Sequence, residues 1–174
     1  MNAEVADPQV AQASPSGGSK AVPPVLRHYQ RLGGSALGRW LFARIVCQRA
    51  PYFGSIRPKF LELRPGLCQV SLRKRRAVTN HLGTVHAIAM ANLCELAAGM
   101  LMEVSIPTTM RWIPRGMTIE YLKKAGTAVT ATARLDKASW STENVGVPVS
   151  VTDAQAVEVV RAVITMYVSD RPAG

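Results

Sequence analysis

The chain has 174 residues, of which 48% are hydrophobic, and its 21 Lys and Arg against 11 Asp and Glu give a formal net charge of +10. This length allows one domain of ordinary size, and the hydrophobic fraction excludes a chain that is disordered throughout. The charge attracts phosphates, acidic lipids or nucleic acid without distinguishing among them. Three cysteines that form no C-x-x-C pair favour a reducing, cytoplasmic environment.

The N-terminal 24 residues are rich in Ala, Ser, Pro, Gly and Gln and contain almost no large apolar side chains. Such a segment cannot bury enough surface to offset its conformational entropy, so we expect a disordered tail. It shows no apolar run of the kind found in a secretion signal. Residues 25–174 are the single predicted domain, and residues 25–50 are predicted as an N-terminal extension of two short helices, interrupted at Gly33 and Gly34.

A hairpin, one apolar helix and several strands are predicted after this extension. Residues 59–64 and 67–75 alternate apolar and polar side chains on either side of a Pro-Gly turn. The stretch 84–102 is rich in Ala, Leu and Met and is apolar on nearly every side, which predicts a helix buried all round. Four segments rich in Val, Thr, Ile and Tyr are predicted strands: residues 110–123, 128–136, 144–152 and 156–169. The economical packing is an α+β fold in which a curved antiparallel sheet wraps around the central helix.

The apolar stretch 84–102 also approaches the length of a membrane span, which needs roughly 20 apolar residues. However, it carries Asn92 and Glu95 near its middle, where polar and ionisable side chains are costly in lipid. We therefore expect the core helix of a globular domain and no membrane span.

The most informative string is NHLGTVH, residues 80–86, which leads directly into the apolar helix. The first N–H groups of a helix lack internal acceptors and lie at the positive end of the macrodipole, so they can polarise a carbonyl or hold an oxyanion. Gly83 permits a tight turn into this end, and Thr84 is a candidate N-cap. Ordinary helix capping is the simpler explanation of these two residues when they are considered alone.

Three polar side chains accompany the helix. An isolated carboxylate costs several kcal/mol to bury, and the helix neighbours of Glu95 carry no charge. A buried glutamate is suited to act as a general base, but a salt bridge at a dimer interface or to an arginine explains it equally well. His86 is more simply a packing or capping residue. Asn92, three residues before Glu95, either orients that carboxylate or packs at a subunit contact.

The string at residues 80–86, with Glu95 fifteen residues after Asn80, resembles the Asn-x-x-Gly-x-x-His-Gly-Gly motif and helix-borne acid of hotdog thioesterases of the phenylacetate-pathway type. The string MRWIPRGMTIEYLKKA, residues 110–125, looks like the strand pair that follows the helix in that family. It is especially similar to a bacterial branch labelled as a domain of unknown function. The resemblance covers roughly residues 54–169 and implies the hotdog fold.

The resemblance also implies a catalytic site. In that family the acid is a general base or nucleophile, a backbone N–H at the helix start polarises the thioester carbonyl, and the Asn positions water or substrate. The resemblance carries the role of the acid to Glu95 and that of the Asn to Asn80. The backbone donor corresponds to the N–H groups around His86 and Ala87, and Gly83 stands at the first Gly of the motif. Two departures are evident: the Gly-Gly pair is Ala-Ile here, at residues 87–88, and no Ser or Thr follows on the strand near residues 113–115.

Basic residues lie on both sides of the helix, in the run 73–76 and over residues 111–124. A solvated surface is their simplest explanation. Alternatively, some of these arginines and lysines hold the phosphates of coenzyme A, because both residue types pair well with phosphate oxygens. Arg111 and Arg115 are the predicted substrate-binding residues among them, and Asn92 is a third. No nucleic-acid partner is expected, because the basic residues are not interleaved with aromatic ones and no zinc, RNA-recognition or helix-turn-helix signature is present.

The sequence therefore predicts an acyl-CoA thioesterase, or a hydrolase of a related acyl-carrier thioester, that acts as a homodimer or a dimer of dimers. Coenzyme A is then part of the substrate, and no separate cofactor or metal is expected. The alternative is a non-catalytic module that binds acyl-CoA or a lipid-like ligand, because the Gly-Gly pair is replaced. A hotdog hydratase or dehydratase ranks below both, because the histidine-rich signature of those enzymes is not evident.

Overall fold

A computed structural model describes residues 22–172, so nearly all of the predicted tail, residues 1–24, lies outside the described residues. The helices are α1 (Pro24–Leu32), α2 (Ala36–Arg49) and α3 (Ala87–Ser105), with two short 3₁₀-helices, η1 (Pro51–Ile56) and η2 (Arg76–Val78). The strands are β1 (Lys59–Arg64), β2 (Leu67–Leu72), β3 (Met110–Tyr121), β4 (Val129–Arg134), β5 (Glu143–Asp153) and β6 (Glu158–Asp170). The predicted helices, hairpin and strands are all present.

The six strands form one antiparallel sheet in the order β1-β2-β4-β5-β6-β3. Buried and less buried residues alternate along β4, β5 and β6, because successive side chains point to opposite faces of a strand. The long strand β3 lies at one edge, where β6 is its only strand partner within residues 22–172. The other edge is β1.

Helix α3 packs across the inner face of this curved sheet and contacts all six strands. This arrangement confirms the predicted hotdog fold. The helix begins three residues later than the apolar stretch does, and 13 of its 19 residues are buried. The expectation that it is buried all round is wrong along one side, where Ile88 is 58% exposed and Glu95 is only partly buried. One stripe of α3 therefore remains open to solvent in the single chain.

The N-terminal extension packs at the β1 edge of the sheet. Its two helices are separated at Gly33 and Gly34, as predicted, and Ser35 caps α2 by accepting a hydrogen bond from the Gly38 N–H at 3.0 Å. Phe42 of α2 stacks edge-to-face on Phe60 of β1, with ring centroids 5.0 Å apart. The extension therefore leaves the opposite edge, β3, uncovered.

Helix α3 is also long and apolar enough to pass a test for membrane spans based on length and composition, with a mean hydropathy of 1.5. It is the one helix of this kind within residues 22–172, and 67% of its apolar 18-residue stretch is buried inside the protein. Core helices of globular domains pass the same test.

Gly99 provides a test of how closely α3 packs. A Cβ atom placed on it would approach the Trp112 ring to 2.8 Å, so we expect Gly99→Ala to overpack this contact. After allowance for the better helix propensity of alanine, we expect a loss of about 1 to 2 kcal/mol in the free energy of unfolding. Chemical denaturation measures this loss. Gly126→Ala is the control, since its Cβ would meet no atom within 4 Å; a Gly99→Ala protein no less stable than this control would contradict the packing.

Candidate functional site

The loop that precedes α3 is a tight, internally bonded turn. Thr79 and Val85 form an isolated antiparallel bridge, the Asn80 N–H donates to the Thr84 carbonyl at 2.9 Å, and the Gly83 N–H donates to the Asn80 carbonyl at 3.0 Å. Gly83 adopts a φ of +72°, a left-handed conformation that favours glycine, as its predicted role in a tight turn requires. The loop is therefore held by its own backbone before α3 begins.

The Asn80 side chain organises this loop. Its Oδ1 atom accepts hydrogen bonds from the N–H groups of Leu82 at 3.0 Å and Thr84 at 3.1 Å. Because two backbone donors point at this atom, it must be the oxygen of the carboxamide. The Nδ2 atom donates to the Thr84 hydroxyl at 3.0 Å. One Nδ2 hydrogen then remains for a ligand.

His86, and not Thr84, is the N-cap of α3. The expectation for Thr84 is wrong because the helix begins at Ala87 and the Thr84 hydroxyl is engaged with Asn80. The His86 Nδ1 atom accepts a hydrogen bond from the Ile88 N–H at 3.1 Å, so the neutral imidazole carries its proton on Nε2. His86 therefore caps α3, as the simpler of its two explanations expected, and the catalytic role that the resemblance implies for it stays a prediction.

One N–H group in the first turn of α3 is left without an intramolecular acceptor. The Ile88 N–H donates to His86 Nδ1, and those of Ala89 and Met90 donate to the His86 carbonyl. The Ala87 N–H has no hydrogen-bond partner among residues 22–172. It lies at the positive end of a 19-residue helix, where a developing negative charge is stabilised.

Two clefts flank this helix start. The first, which we call the lysine cleft, has a volume of about 310 Å³. Its lining includes Asn80, Thr84, Ala87, Tyr121, Lys123 and Lys124. The Tyr121 hydroxyl donates to the Ala87 carbonyl at 3.3 Å, which ties the end of β3 to the helix start. The lysine cleft therefore brings Ala87, the first residue of α3, together with two exposed cations.

The second cleft, which we call the η1 cleft, has a volume of about 250 Å³ and lies on the other side of the helix start. Its lining includes Tyr52, Ser55, Thr79, His86, Ile88 and Asn92. The Arg75 guanidinium donates to the Ser55 carbonyl at 2.5 Å, which fixes η1 as one wall. The predicted substrate-binding residue Asn92 thus lines a cleft, and the residue is only 7% exposed.

Glu95 lines neither cleft. It lies eight residues beyond Ala87, which is roughly 12 Å along the helix axis. None of the three ion pairs formed within residues 22–172 includes its carboxylate. A single chain therefore brings together Asn80, Gly83 and Ala87 but leaves Glu95 apart from them.

The neighbouring thiol of Cys94 is not an alternative nucleophile. Burial raises the pKa of Cys94 to about 12, and it also raises that of Cys68. Both thiols therefore stay protonated near neutral pH, and neither provides a reactive thiolate. All three cysteines are free.

Arg111 and Arg115 lie near the start of β3, away from both clefts. Arg111 donates to the Ser169 hydroxyl at 3.3 Å, and the Arg115 guanidinium lies over the Tyr167 ring at 5.2 Å. Arg111 is ten residues from Tyr121, roughly 33 Å along an extended strand. Lys123 and Lys124, which belong to the same predicted basic group, line the lysine cleft beside the helix start.

The antiparallel sheet around α3, with its tight loop and capped helix start, defines a hotdog-fold protein. The chain belongs to the family described as "Domain of unknown function (DUF4442)", which it matches over residues 38–168. No protein with a curated description matches the sequence.

Solved structures are similar to this chain in fold. A crystal structure described as genomics target APC5556 is 47% identical, with a TM-score of 0.75, over 84% of this chain and 98% of that one. A protein of unknown function from Pseudomonas aeruginosa, described as a probable thioesterase, is 20% identical, with a TM-score of 0.69, over 75% of this chain and 95% of its own. A thioesterase from Haemophilus influenzae is 9% identical, with a TM-score of 0.65, over 74% of this chain and 88% of its own. Because the last two proteins are only 20% and 9% identical to this chain, their similarity shows a shared fold alone.

The loop-organising role of Asn80 is testable by substitution. Asn80→Ala removes the acceptor of two backbone N–H groups, so we expect a loss of about 1 to 2 kcal/mol in the free energy of unfolding. Asn80→Asp keeps both acceptor contacts and should be closer to the parent protein in stability. Chemical denaturation compares the two variants. Equal stability of Asn80→Ala and the parent protein would rule out this role.

Proposed function

We propose that the protein hydrolyses an acyl-CoA ester or a closely related acyl-carrier thioester. The Ala87 N–H is the observation that carries the proposal, since it is an unengaged donor at the positive end of α3 and Ala87 lines a cleft of about 310 Å³. A thioester carbonyl bound there gains negative charge as water adds to it. The thioesterases among the structural neighbours support this reaction class.

The lysine cleft suits the coenzyme A end of such a substrate. Lys123 and Lys124 are exposed, and neither takes part in an ion pair with the residues that the structure describes. Ammonium groups at the mouth of a cleft attract phosphates, and the net charge of +10 strengthens this attraction. Coenzyme A enters as part of the substrate, and the reaction needs no additional cofactor.

Glu95 supplies the base in the proposed reaction, and a second copy of the chain is needed to bring it to the bound thioester. Two features favour such a dimer: the open edge of β3, where Ile113 is 59% exposed, and the open stripe of α3 that carries Ile88 and Glu95. Unpaired strand edges and exposed apolar side chains are typical of surfaces that associate. In a homodimer or a dimer of dimers, the β3 edge and the open stripe of α3 are both buried.

The chemistry balances with water as the only co-substrate. Glu95 accepts a proton as water adds to the carbonyl carbon, and the Ala87 N–H stabilises the resulting oxyanion. Collapse of this intermediate breaks the C–S bond, and the departing thiolate takes up a proton. Direct attack by the Glu95 carboxylate would instead form an anhydride, which water then opens to the same products.

A non-catalytic acyl-CoA-binding module is the second candidate, because Ala87 and Ile88 stand where the hotdog thioesterases have two glycines. The added side chains narrow the approach of a thioester to the helix start, and Ile88 is largely exposed beside it. Such a module binds the same esters without releasing a thiol.

Thiol release from short, medium, long and aromatic acyl-CoA esters tests the enzyme. We expect Glu95→Gln to lower kcat by about 10² to 10⁴, the usual contribution of a general base, without loss of the fold. Glu103→Gln is the matched control on the same helix, since glutamine can still accept the 2.9 Å hydrogen bond from the Trp112 indole.

Undiminished turnover by a folded Glu95→Gln protein would eliminate Glu95 as the base. Tight binding of the esters by the parent protein with no thiol release across the panel would instead establish the binding module.

A further inference from the structure

Helix α2 of the N-terminal extension carries apolar side chains on two opposite faces. Phe42 is buried on the face that packs against β1. On the other face, Leu37 is 73% exposed, Trp40 55% and Leu41 42%. These three residues and the exposed Arg44 follow one another at spacings of one, three and four residues, so they share one side of the helix. We call this set the outer face of α2.

The outer face of α2 combines its apolar groups with a cation. The Arg44 guanidinium lies over the Trp40 ring, 5.4 Å from its centroid. Leucine, tryptophan and arginine on one exposed helix face are typical of helices that lie on a membrane surface. There the apolar side chains reach the acyl chains, the arginine pairs with a lipid phosphate, and the amphipathic indole prefers the boundary between them.

The whole extension is basic. Residues 22–58 contain six arginines and no Asp or Glu. None of the three ion pairs formed within residues 22–172 includes any of these arginines. Five of them are exposed: Arg27, Arg31, Arg44, Arg49 and Arg57. The apolar outer face of α2 therefore belongs to a segment that attracts anions.

Charge and apolar area together distinguish among the possible partners. A two-fold contact between two copies of the chain through this face would bring two acid-free, arginine-rich extensions together, which is repulsive. Duplex nucleic acid pairs with arginines through its phosphates but has no apolar layer for Leu37 and Leu41. A bilayer that contains anionic lipids complements both the arginines and the apolar side chains.

We propose that the outer face of α2 docks the protein on a membrane surface that contains anionic lipids. Leu37, Trp40 and Leu41 enter the boundary between headgroups and acyl chains, and the exposed arginines pair with lipid phosphates. The helix lies on the membrane and does not cross it, because its Phe42 face stays packed on β1. The proposal is independent of the proposed hydrolysis.

Sedimentation of the full chain with vesicles tests this docking. We expect binding to vesicles of equal parts phosphatidylglycerol and phosphatidylcholine, much weaker binding to phosphatidylcholine alone, and a decrease with added salt. The triple variant Leu37→Gln/Trp40→Gln/Leu41→Gln should lower the partition coefficient at least about tenfold, because it removes the apolar area that enters the lipid. Arg49→Gln should lower it about fivefold, the usual effect of one basic residue near an anionic surface.

Two matched controls lie outside the extension. Val163 is an exposed apolar residue on β6, and Arg134 is an exposed arginine on β4 that forms no ion pair within residues 22–172. Val163→Gln and Arg134→Gln should leave the partition coefficient unchanged. The triple variant should stay folded, because its three positions are exposed and glutamine is a good helix former.

Brominated acyl chains, which quench indole fluorescence on contact, test whether this face enters the lipid, including the case in which the triple variant does not fold. Trp40 is exposed, whereas Trp112 and Trp140 are half-buried. Bound parent protein should therefore be quenched. Trp40→Phe keeps an aromatic side chain and should still bind, but it should lose most of the quenching.

Several results would overturn the proposal. These are no binding to the anionic vesicles at low salt, equal effects of the triple variant and Val163→Gln, and undiminished quenching in bound Trp40→Phe. Self-association that the triple variant abolishes, without vesicle binding, would assign the face to a contact between copies. Binding of duplex DNA without vesicle binding would assign the arginines to nucleic acid.

Discussion

The burial of α3 against the inner face of the sheet is the interaction on which the rest of the structure depends. Most of this apolar helix is buried and it contacts every strand, so hydrophobic burial holds the two layers together. The same packing fixes where the helix begins, because Val85 is buried just before it and its N–H donates to the Ala125 carbonyl at 2.9 Å. The core therefore determines the position of the Ala87 N–H.

The two surfaces proposed for a dimer contact are those that this packing leaves exposed. The stripe of α3 that carries Glu95 is not covered by the sheet or by the N-terminal extension, and the β3 edge is likewise without a strand partner in the described chain. The β3 edge lies at the opposite end of the sheet from β1, against which α2 packs. A second copy placed against these two surfaces would bury apolar area and supply the carboxylate that one chain holds roughly 12 Å from its own Ala87.

Hydrophobic patterning predicted the α+β layers and the resemblance at residues 80–95 implied the hotdog fold, whereas contacts between distant segments were not predictable from the sequence. Alternating strands and an all-apolar helix have clear periodicities, and the string at residues 80–86 located the helix start. The cap was misassigned because threonine is the better intrinsic capping residue, but Asn80 engages Thr84 and leaves the position to His86. Ser55 and Tyr121 were missed because they reach the clefts from η1 and from the end of β3. Glu95 remains a prediction.

The most direct test of the account is the kcat of Ala87→Pro in thiol release from an acyl-CoA ester. Proline is tolerated at the first position of a helix, and His86 already has the extended conformation that proline requires before it (φ −67°, ψ 138°), so this variant should fold and lack only the N–H. We predict that kcat falls by about 10² to 10³, while Ala87→Gly, which keeps the N–H, remains active. A folded Ala87→Pro protein with an unchanged kcat would contradict the account.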